Sequence, residues 1–89
     1  MNQRSVTIVN KLGLHARAAA KFVTMASVFK SEIQLRKADR VVNGKSIMGV
    51  MMLAAGKGSE LEIIASGEDE DEALTMLGEL VAKRFGEDE

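Results

Sequence analysis

The 89-residue sequence has no cysteine, proline, tyrosine or tryptophan, and it has one histidine. The lack of cysteine excludes disulfides and thiolate metal sites, and one histidine cannot build a multi-histidine metal site. Three phenylalanines are the only aromatic residues on which nucleic-acid bases could stack. We therefore expect no metal, no cofactor and no nucleic-acid partner.

The sequence also lacks a long hydrophobic run. Its longest apolar stretch, Ile47 to Gly56, is far shorter than the roughly 20 residues that a membrane-spanning helix needs. The first residues do not form a signal peptide, because no long apolar segment follows a basic one. We expect a cytoplasmic protein without membrane insertion. No linker or repeat divides residues 1–89, which predicts a single domain, and we expect it to act as a monomer.

Acidic residues are scarce in the first part of the chain. Residues 1–58 contain ten lysines and arginines but only Glu32 and Asp39, whereas residues 59–89 contain eleven acids and only Lys83 and Arg84. A basic region suits a phosphate or an acidic protein partner. Mutual neutralisation of the two regions in the folded chain is the simpler alternative, and charge alone leaves both open.

Hydrophobic periodicity predicts the element order βαββαβα. Strands are expected at 3–9, 32–36, 40–42 and 60–66, and helices at 16–28, 47–53 and from about 70 to 85. Turns are expected around Ala38–Asp39 and at Asn43–Gly44. Four short strands and three helices indicate an α+β fold, an open-faced two-layer sandwich with a four-stranded antiparallel sheet and the three helices on one face.

The last helix has the clearest sequence signals. Asp69 and Glu72 have the spacing of a capping box, and the acids of the first turn suit the positive end of the helix dipole. A buried stripe is expected on one face: Ala73, Leu74, Leu77, Leu80, Val81 and Phe85. Lys83 and Arg84 are expected in the last turn, and Gly86 is expected to end the helix.

The first helix is predicted to begin without a capping side chain. Its start, around His15 to Ala18, offers no Ser, Thr, Asp or Asn to bond the free N–H groups. Free N–H groups at a helix start bind anions, and Arg17 adds a cation that can hold phosphate oxygens with two hydrogen bonds. The neutral imidazole of His15 is a nucleophile, so the three features together suit phosphoryl transfer. On these grounds alone a structural histidine stays an open alternative.

Two segments resemble those of a known family. Residues 13–17 (GLHAR) and 18–23 (AAAKFV) resemble the active-site signature of the HPr family, the histidine phosphocarriers of the bacterial phosphoenolpyruvate-dependent phosphotransferase system. Residues 43–51 (NGKSIMGVM) resemble the family's regulatory serine site. The spacing of the segments and the order of elements also agree, so the resemblance covers nearly the whole chain. One departure is Ala18, where the family usually has proline.

The resemblance implies a shuttle that turns over no substrate alone. His15 would accept a phosphoryl group from Enzyme I and pass it to an EIIA-type domain. Arg17 and the backbone N–H groups of Ala16 and Ala18 would hold the phosphate. Ser46, which would also cap the short helix, would be the site of an HPr kinase/phosphorylase. The implied partner surface comprises Ile47, Met48, Met51, Ala20 and Thr24, although periodicity alone leaves open whether the residues of the short helix are core.

Other functions remain as alternatives. The segment 10–13 and the acidic tail 86–89 slightly favour a resemblance to NPr, a related phosphocarrier that signals instead of driving sugar uptake. A regulator that only binds its partners is disfavoured by the presence of His15, and a small nucleic-acid-binding domain is disfavoured by the scarcity of aromatic residues.

Overall fold

The computed structural model describes all 89 residues and has the predicted order βαββαβα. The strands are β1 (Asn2–Thr7), β2 (Glu32–Lys37), β3 (Arg40–Asn43) and β4 (Glu60–Ser66), and the helices are α1 (Ala16–Ala26), α2 (Ile47–Met51) and α3 (Glu70–Ala82). A 3₁₀ turn (Arg84–Gly86) follows α3. The predicted α+β open-faced sandwich is therefore confirmed.

The four strands form one antiparallel sheet in the order β1-β4-β2-β3. Alternation along the strands gives the sheet two unlike faces. Leu61, Ile63 and Ala65 of β4 are buried against the helices, as are Ile33 and Leu35 of β2. The opposite face carries polar pairs, among them the ion pair between Arg36 and Glu62. This amphipathic sheet is what allows two layers to enclose a core.

A tight turn joins β3 to α2. Gly44 lies close to the β2 main chain, where its N–H donates to the Ile33 carbonyl at 2.7 Å. A Cβ atom at Gly44 would lie 2.7 Å from the Ile33 side chain and 3.1 Å from that carbonyl oxygen. The turn predicted at Asn43–Gly44 is confirmed, and its glycine is required by this close approach.

Several element ends differ from the prediction. Helix α1 ends at Ala26 instead of 28, and α2 ends at Met51 instead of 53. In both places the following N–H groups bond carbonyls three residues back, which is the usual tightening of a last turn. Strand β1 ends at Thr7 instead of 9, although the Ile8 N–H still donates to the Ser59 carbonyl at 2.9 Å.

The capping box predicted for α3 is wrong. Asp69 is the residue before the helix, but its carboxylate bonds no α3 amide. It instead accepts hydrogen bonds from the Lys30 and Ser31 N–H groups, at 2.8 and 2.9 Å, and from the Ser31 hydroxyl. Ser31 is buried, so a fixed carboxylate satisfies three donors in the loop before β2. The Glu70 carboxylate accepts from the Gly67 N–H at 3.2 Å.

The end of α3 also differs from the prediction. Lys83 follows the last residue of the helix, and Arg84 lies in the 3₁₀ turn instead of the last helical turn. Arg84 and Phe85 both have positive φ, of 59° and 55°, which ends α3 before Gly86 is reached. The predicted stripe is otherwise correct, with Leu80 only half-buried. None of the helices has the length and apolarity needed to cross a membrane.

Candidate functional site

The first turn of α1 is open, as the sequence predicts. His15 precedes the helix with an extended backbone (φ −71°, ψ 177°), and no side chain caps the helix start. The His15 carbonyl accepts from the Ala19 N–H at 2.9 Å, whereas the N–H groups of Ala16, Arg17 and Ala18 have no acceptor. No acidic residue lies in this turn. Three unbonded N–H groups therefore surround the start of the helix next to His15, which makes it a site for an anion.

The loop before His15 is held against the segment that follows α2. Gly13 has φ +66°, and a Cβ atom there would lie 2.4 Å from the Ala55 carbonyl oxygen and 2.7 Å from the Gly56 Cα. The Leu14 N–H donates to that Ala55 carbonyl at 2.8 Å, and the Leu14 side chain is buried. The position of His15 is thus fixed by packing on its N-terminal side, and only glycine fits at 13.

The His15 ring contacts a residue from the far end of the chain. Its Nε2 lies 2.5 Å from Oε2 of Glu87, 72 positions later in the sequence. The other carboxylate oxygen, Oε1, accepts from Asn10 Nδ2 at 3.0 Å, and the same amide donates to the Gly13 carbonyl at 2.8 Å. Asn10 is fully buried, and its Oδ1 has no partner. These contacts join His15, Glu87 and the loop of residues 10–13 in one network.

The charge of Glu87 is stabilised by this network. Burial of the side chain would by itself raise the pKa of Glu87, but hydrogen bonds from His15 and Asn10 outweigh that effect and lower the pKa below its ordinary value. The positive charge of Lys21 acts in the same direction, as does that of His15 when its ring is protonated. Glu87 is therefore an ionised acceptor at neutral pH.

The left-handed turn after α3 brings Glu87 to the site. Positive φ at Arg84 and Phe85 reverses the chain, and the Phe85 side chain enters the core. Lys21 Nζ then donates to the Phe85 carbonyl at 2.7 Å, and the Lys11 N–H donates to the Glu89 carbonyl at 2.9 Å. No sequence pattern predicts this arrangement, and the only available signal is an acidic tail in a chain whose first part is basic.

Arg17 is exposed, and its guanidinium forms neither an ion pair nor a hydrogen bond with the rest of the chain. It lines an open hollow of about 850 Å³ together with His15, Ala16 and the tail residues 87–89. A free guanidinium beside unbonded N–H groups can bind two oxygens of a phosphate. Of the residues predicted to hold the phosphate, His15, Ala16 and Arg17 line this hollow, whereas Ala18, the next residue of α1, is fully buried and does not line it.

Ser46 caps α2. Its hydroxyl oxygen accepts from the Gly49 N–H at 3.1 Å, and its backbone is extended, as is usual for such a cap. The predicted capping role is thus present, and Ser46 is half-buried.

The residues predicted to bind partners lie in two places. On α2, Ile47, Met48 and Met51 are 44%, 73% and 40% exposed, while Val50 of the same helix is fully buried. On α1, Ala20 and Thr24 line a groove of about 520 Å³ together with Arg17 and with Met76 and Leu80 of α3. Helix α1 packs against both α2 and α3.

Comparison with known proteins gives a consistent class. The profile of a family described as "PTS HPr component phosphorylation site" matches residues 2–83. The chain is 55% identical over 89 residues to the phosphocarrier protein HPr of Neisseria meningitidis serogroup A, covering 100% of both chains. A crystal structure of HPr from Thermoanaerobacter tengcongensis superposes with a TM-score of 0.96 at 45% identity, covering 100% of both chains. The fold and these relatives define a small phosphocarrier, a protein that carries a phosphoryl group and is not itself a catalyst.

The chain belongs to the HPr family, the phosphocarriers of the phosphotransferase system. A second structure from Thermoanaerobacter tengcongensis is described as an HPr dimer. It matches with a TM-score of 0.79 at 46% identity, covering 98% of this chain and 100% of that one.

Proposed function

We propose that His15 carries the phosphoryl group, accepting it from Enzyme I and passing it to an EIIA-type domain in the cytoplasm. The observation that carries this proposal is the open start of α1, where three N–H groups without acceptors lie beside the one histidine of the chain. A phosphoryl group on the ring would meet these donors and the helix dipole without displacing a capping side chain.

Arg17 and the N–H groups of Ala16 and Ala18 hold the phosphate in this proposal. The guanidinium of Arg17 is free of carboxylate partners, so it can turn towards the phosphoryl oxygens without breaking an ion pair. Fixed donors aimed at the charge that accumulates during phosphoryl transfer lower the barrier. Binding of the group and acceleration of its transfer thus depend on the same atoms.

The experiment measures intact mass after incubation with phosphoenolpyruvate and Enzyme I. We expect one added phosphoryl group that brief acid treatment removes and that is absent from the His15→Ala variant. Arg17→Ala should still accept the group, but about a hundredfold more slowly, because one charged donor is lost. No mass addition with an Enzyme I that phosphorylates another carrier would contradict the proposal.

Exposed apolar side chains support a docking surface on α2. Ile47, Met48 and Met51 face solvent although Val50 of the same helix is buried. Flexible methionines adapt to different partners, as a carrier that docks first with a donor and then with an acceptor requires. We place Ala20 and Thr24 of α1 in the same docking surface, since α1 packs against α2.

Ser46 is the proposed site of regulation by an HPr kinase/phosphorylase. A phosphate on its hydroxyl would lie at the start of α2 and add about two negative charges beside Ile47 and Met48. Those charges should weaken docking to acidic partners. Incubation with ATP and the kinase should add a phosphoryl group that survives brief acid treatment and is lost in Ser46→Ala. A group that acid removes would contradict this assignment.

We propose that the protein acts as a monomer, because the same face of α1 and α2 must be free to bind each partner in turn. Sedimentation at the concentration used for phosphoryl transfer should give the mass of one chain. A dimer, as in the Thermoanaerobacter tengcongensis structure described as one, would contradict it.

A further inference from the structure

The contact between Glu87 and His15 decides which ring nitrogen carries a proton. An ionised carboxylate only accepts hydrogen bonds, so the nitrogen 2.5 Å away, Nε2, must be the donor. In the neutral ring this leaves the lone pair on Nδ1, which has no hydrogen-bond partner in the chain. Nδ1 is also the ring nitrogen nearer to the main chain, and His15 directly precedes the free N–H groups of α1.

The carboxylate is itself held in place. Asn10, fully buried, donates from one amide group to Glu87 and to the Gly13 carbonyl, so it links the acceptor to the loop that positions His15. The tail is fixed on both sides of Glu87 through the Phe85 and Glu89 carbonyls, which accept from Lys21 and Lys11. The Glu87 side chain is only 16% exposed. A carboxylate fixed in this way can select one ring orientation and one tautomer.

We propose that Glu87 is the positioning residue of the phosphoryl acceptor. It holds Nε2–H and so presents the lone pair of Nδ1 to the incoming phosphorus. The proposal rests on the carrier function proposed above and adds a residue outside the motif on which that function depends. Glu87 touches neither the phosphorus nor the donor, and acts only through the ring.

The transfer step shows what the carboxylate contributes. The Nδ1 lone pair forms a bond to phosphorus, the bond between phosphorus and the phosphorylated donor breaks, and its electron pair leaves with the donor. The ring keeps its hydrogen on Nε2 and becomes positively charged. A carboxylate facing that hydrogen stabilises the charge as it forms, as the aspartate of a Ser-His-Asp triad does for its histidine. In the onward step a nucleophilic atom of the acceptor forms a bond to phosphorus with its own lone pair, the Nδ1–phosphorus bond breaks, and its electron pair returns to Nδ1.

The tail offers a matched control. Asp88 is the next residue and lines the same hollow, but its carboxylate has no hydrogen bond or ion pair, and only its main-chain carbonyl accepts from Arg84, at 3.2 Å. Asp88→Ala and Glu87→Ala therefore remove the same charge from neighbouring positions of one segment. The other charged groups lining the hollow, Lys11, Arg17 and Glu89, are the same in both variants.

The test observes the ring nitrogens of the ¹⁵N-labelled, unphosphorylated chain by NMR, at a pH where the ring is neutral. The unmodified chain and Asp88→Ala should show hydrogen on Nε2 and none on Nδ1. Glu87→Ala should show both tautomers in exchange, and its phosphoryl uptake from Enzyme I should fall about tenfold, the lower end of the loss seen when the partner that orients a metal-binding histidine is removed.

Two results would overturn the proposal. One is a tautomer unchanged by Glu87→Ala, and the other is faster phosphoryl uptake in that variant, the behaviour of a carboxylate that merely covers the histidine. The NMR measurement needs no Enzyme I. A failure of every variant to accept a phosphoryl group would therefore count against the carrier function, while the tautomer would still decide the role of Glu87.

Discussion

Helices α1 and α3 both start without a capping side chain, but they differ in the charge of the first turn. The first turn of α3 contains three acids, Glu70, Asp71 and Glu72, whose charges suit the positive end of the helix dipole. The first turn of α1 contains no acid and no capping side chain, and three of its N–H groups have no acceptor. Both helices belong to one small fold and pack on one core.

This difference indicates that the start of α3 serves stability, whereas the start of α1 serves the binding of an anion. At α3 the chain supplies its own negative charge in the first turn, although no side chain caps the helix, and the Asp69 carboxylate beside it fixes the loop at Ser31. At α1 the donors stay available, and the nearest carboxylate, that of Glu87, bonds the His15 ring instead of the helix N–H groups. A phosphoryl group that must arrive and leave needs a helix start without its own acid or cap, as in α1, because such an acid or cap would compete with it.

The largest effect is expected from an acidic residue in the first turn of α1. Ala16→Glu places a carboxylate in the first turn, at an exposed position. It should slow phosphoryl uptake from Enzyme I about a hundredfold, because the new charge repels the phosphoryl group and occupies the dipole. The same change should raise the free energy of unfolding by about 0.5 kcal/mol. Uptake followed by mass and urea unfolding measure the two effects.

Ala16→Gln is the control for that experiment, since it has the size of glutamate without the charge. It should leave uptake within about threefold of the unmodified chain and should not stabilise the helix through the dipole. Equal uptake by the glutamate and glutamine variants would show that the open helix start does not bind the phosphoryl group.

The second prediction concerns the hydrogen bond between Ser31 and Asp69 beside the start of α3. Ser31→Ala removes a buried hydroxyl that donates to the Asp69 carboxylate, and it should lower the free energy of unfolding by about 2 kcal/mol. Phosphoryl uptake should be unchanged, because Ser31 and Asp69 form no part of the His15 network. Reduced phosphoryl uptake by folded Ser31→Ala would contradict the view that the start of α3 serves stability alone. Urea unfolding of Thr75→Ala, which removes an exposed hydroxyl within α3, serves as the control.

The effect of Ser31→Ala on stability should depend on pH, because the lost hydroxyl bonds the carboxylate of Asp69. Hydrogen bonds from the Ser31 hydroxyl and from the Lys30 N–H lower the pKa of Asp69 below its ordinary value of 3.8. A carboxyl whose pKa is lower in the folded state contributes stability above its unfolded pKa and loses it as pH falls through the folded value. The advantage of the unmodified chain over Ser31→Ala should therefore shrink as the pH falls below 3.8. An advantage that grows with acidification would contradict this linkage.

Sequence patterns predicted the elements and half of the site. Period-two and helical patterns gave the order of elements because each strand and helix buries one face, and residues 13–17 indicated His15 and Arg17. Glu87 was missed because its contact depends on left-handed Arg84 and Phe85, and non-glycine residues at positive φ follow no local pattern. The capping box failed for a related reason: the carboxylate of Asp69 found donors 38 positions away.

The smallest expected effect concerns the N–H group of Ala18, the third donor without an acceptor at the start of α1. Ala18→Pro removes one of the three unbonded N–H groups and restores the residue that the family usually has. Proline is tolerated in a first helical turn, where no intrahelical bond is lost, so the fold should persist. If the Ala18 N–H binds the phosphoryl group beside those of Ala16 and Arg17, the variant should release it to water about twofold to threefold faster, roughly the effect of one modest hydrogen bond. The half-life of the phosphorylated chain, followed by mass, measures this, with Ala18→Gly as a variant that keeps the donor. Unchanged release from the proline variant would restrict the phosphate site to the first two N–H groups and Arg17.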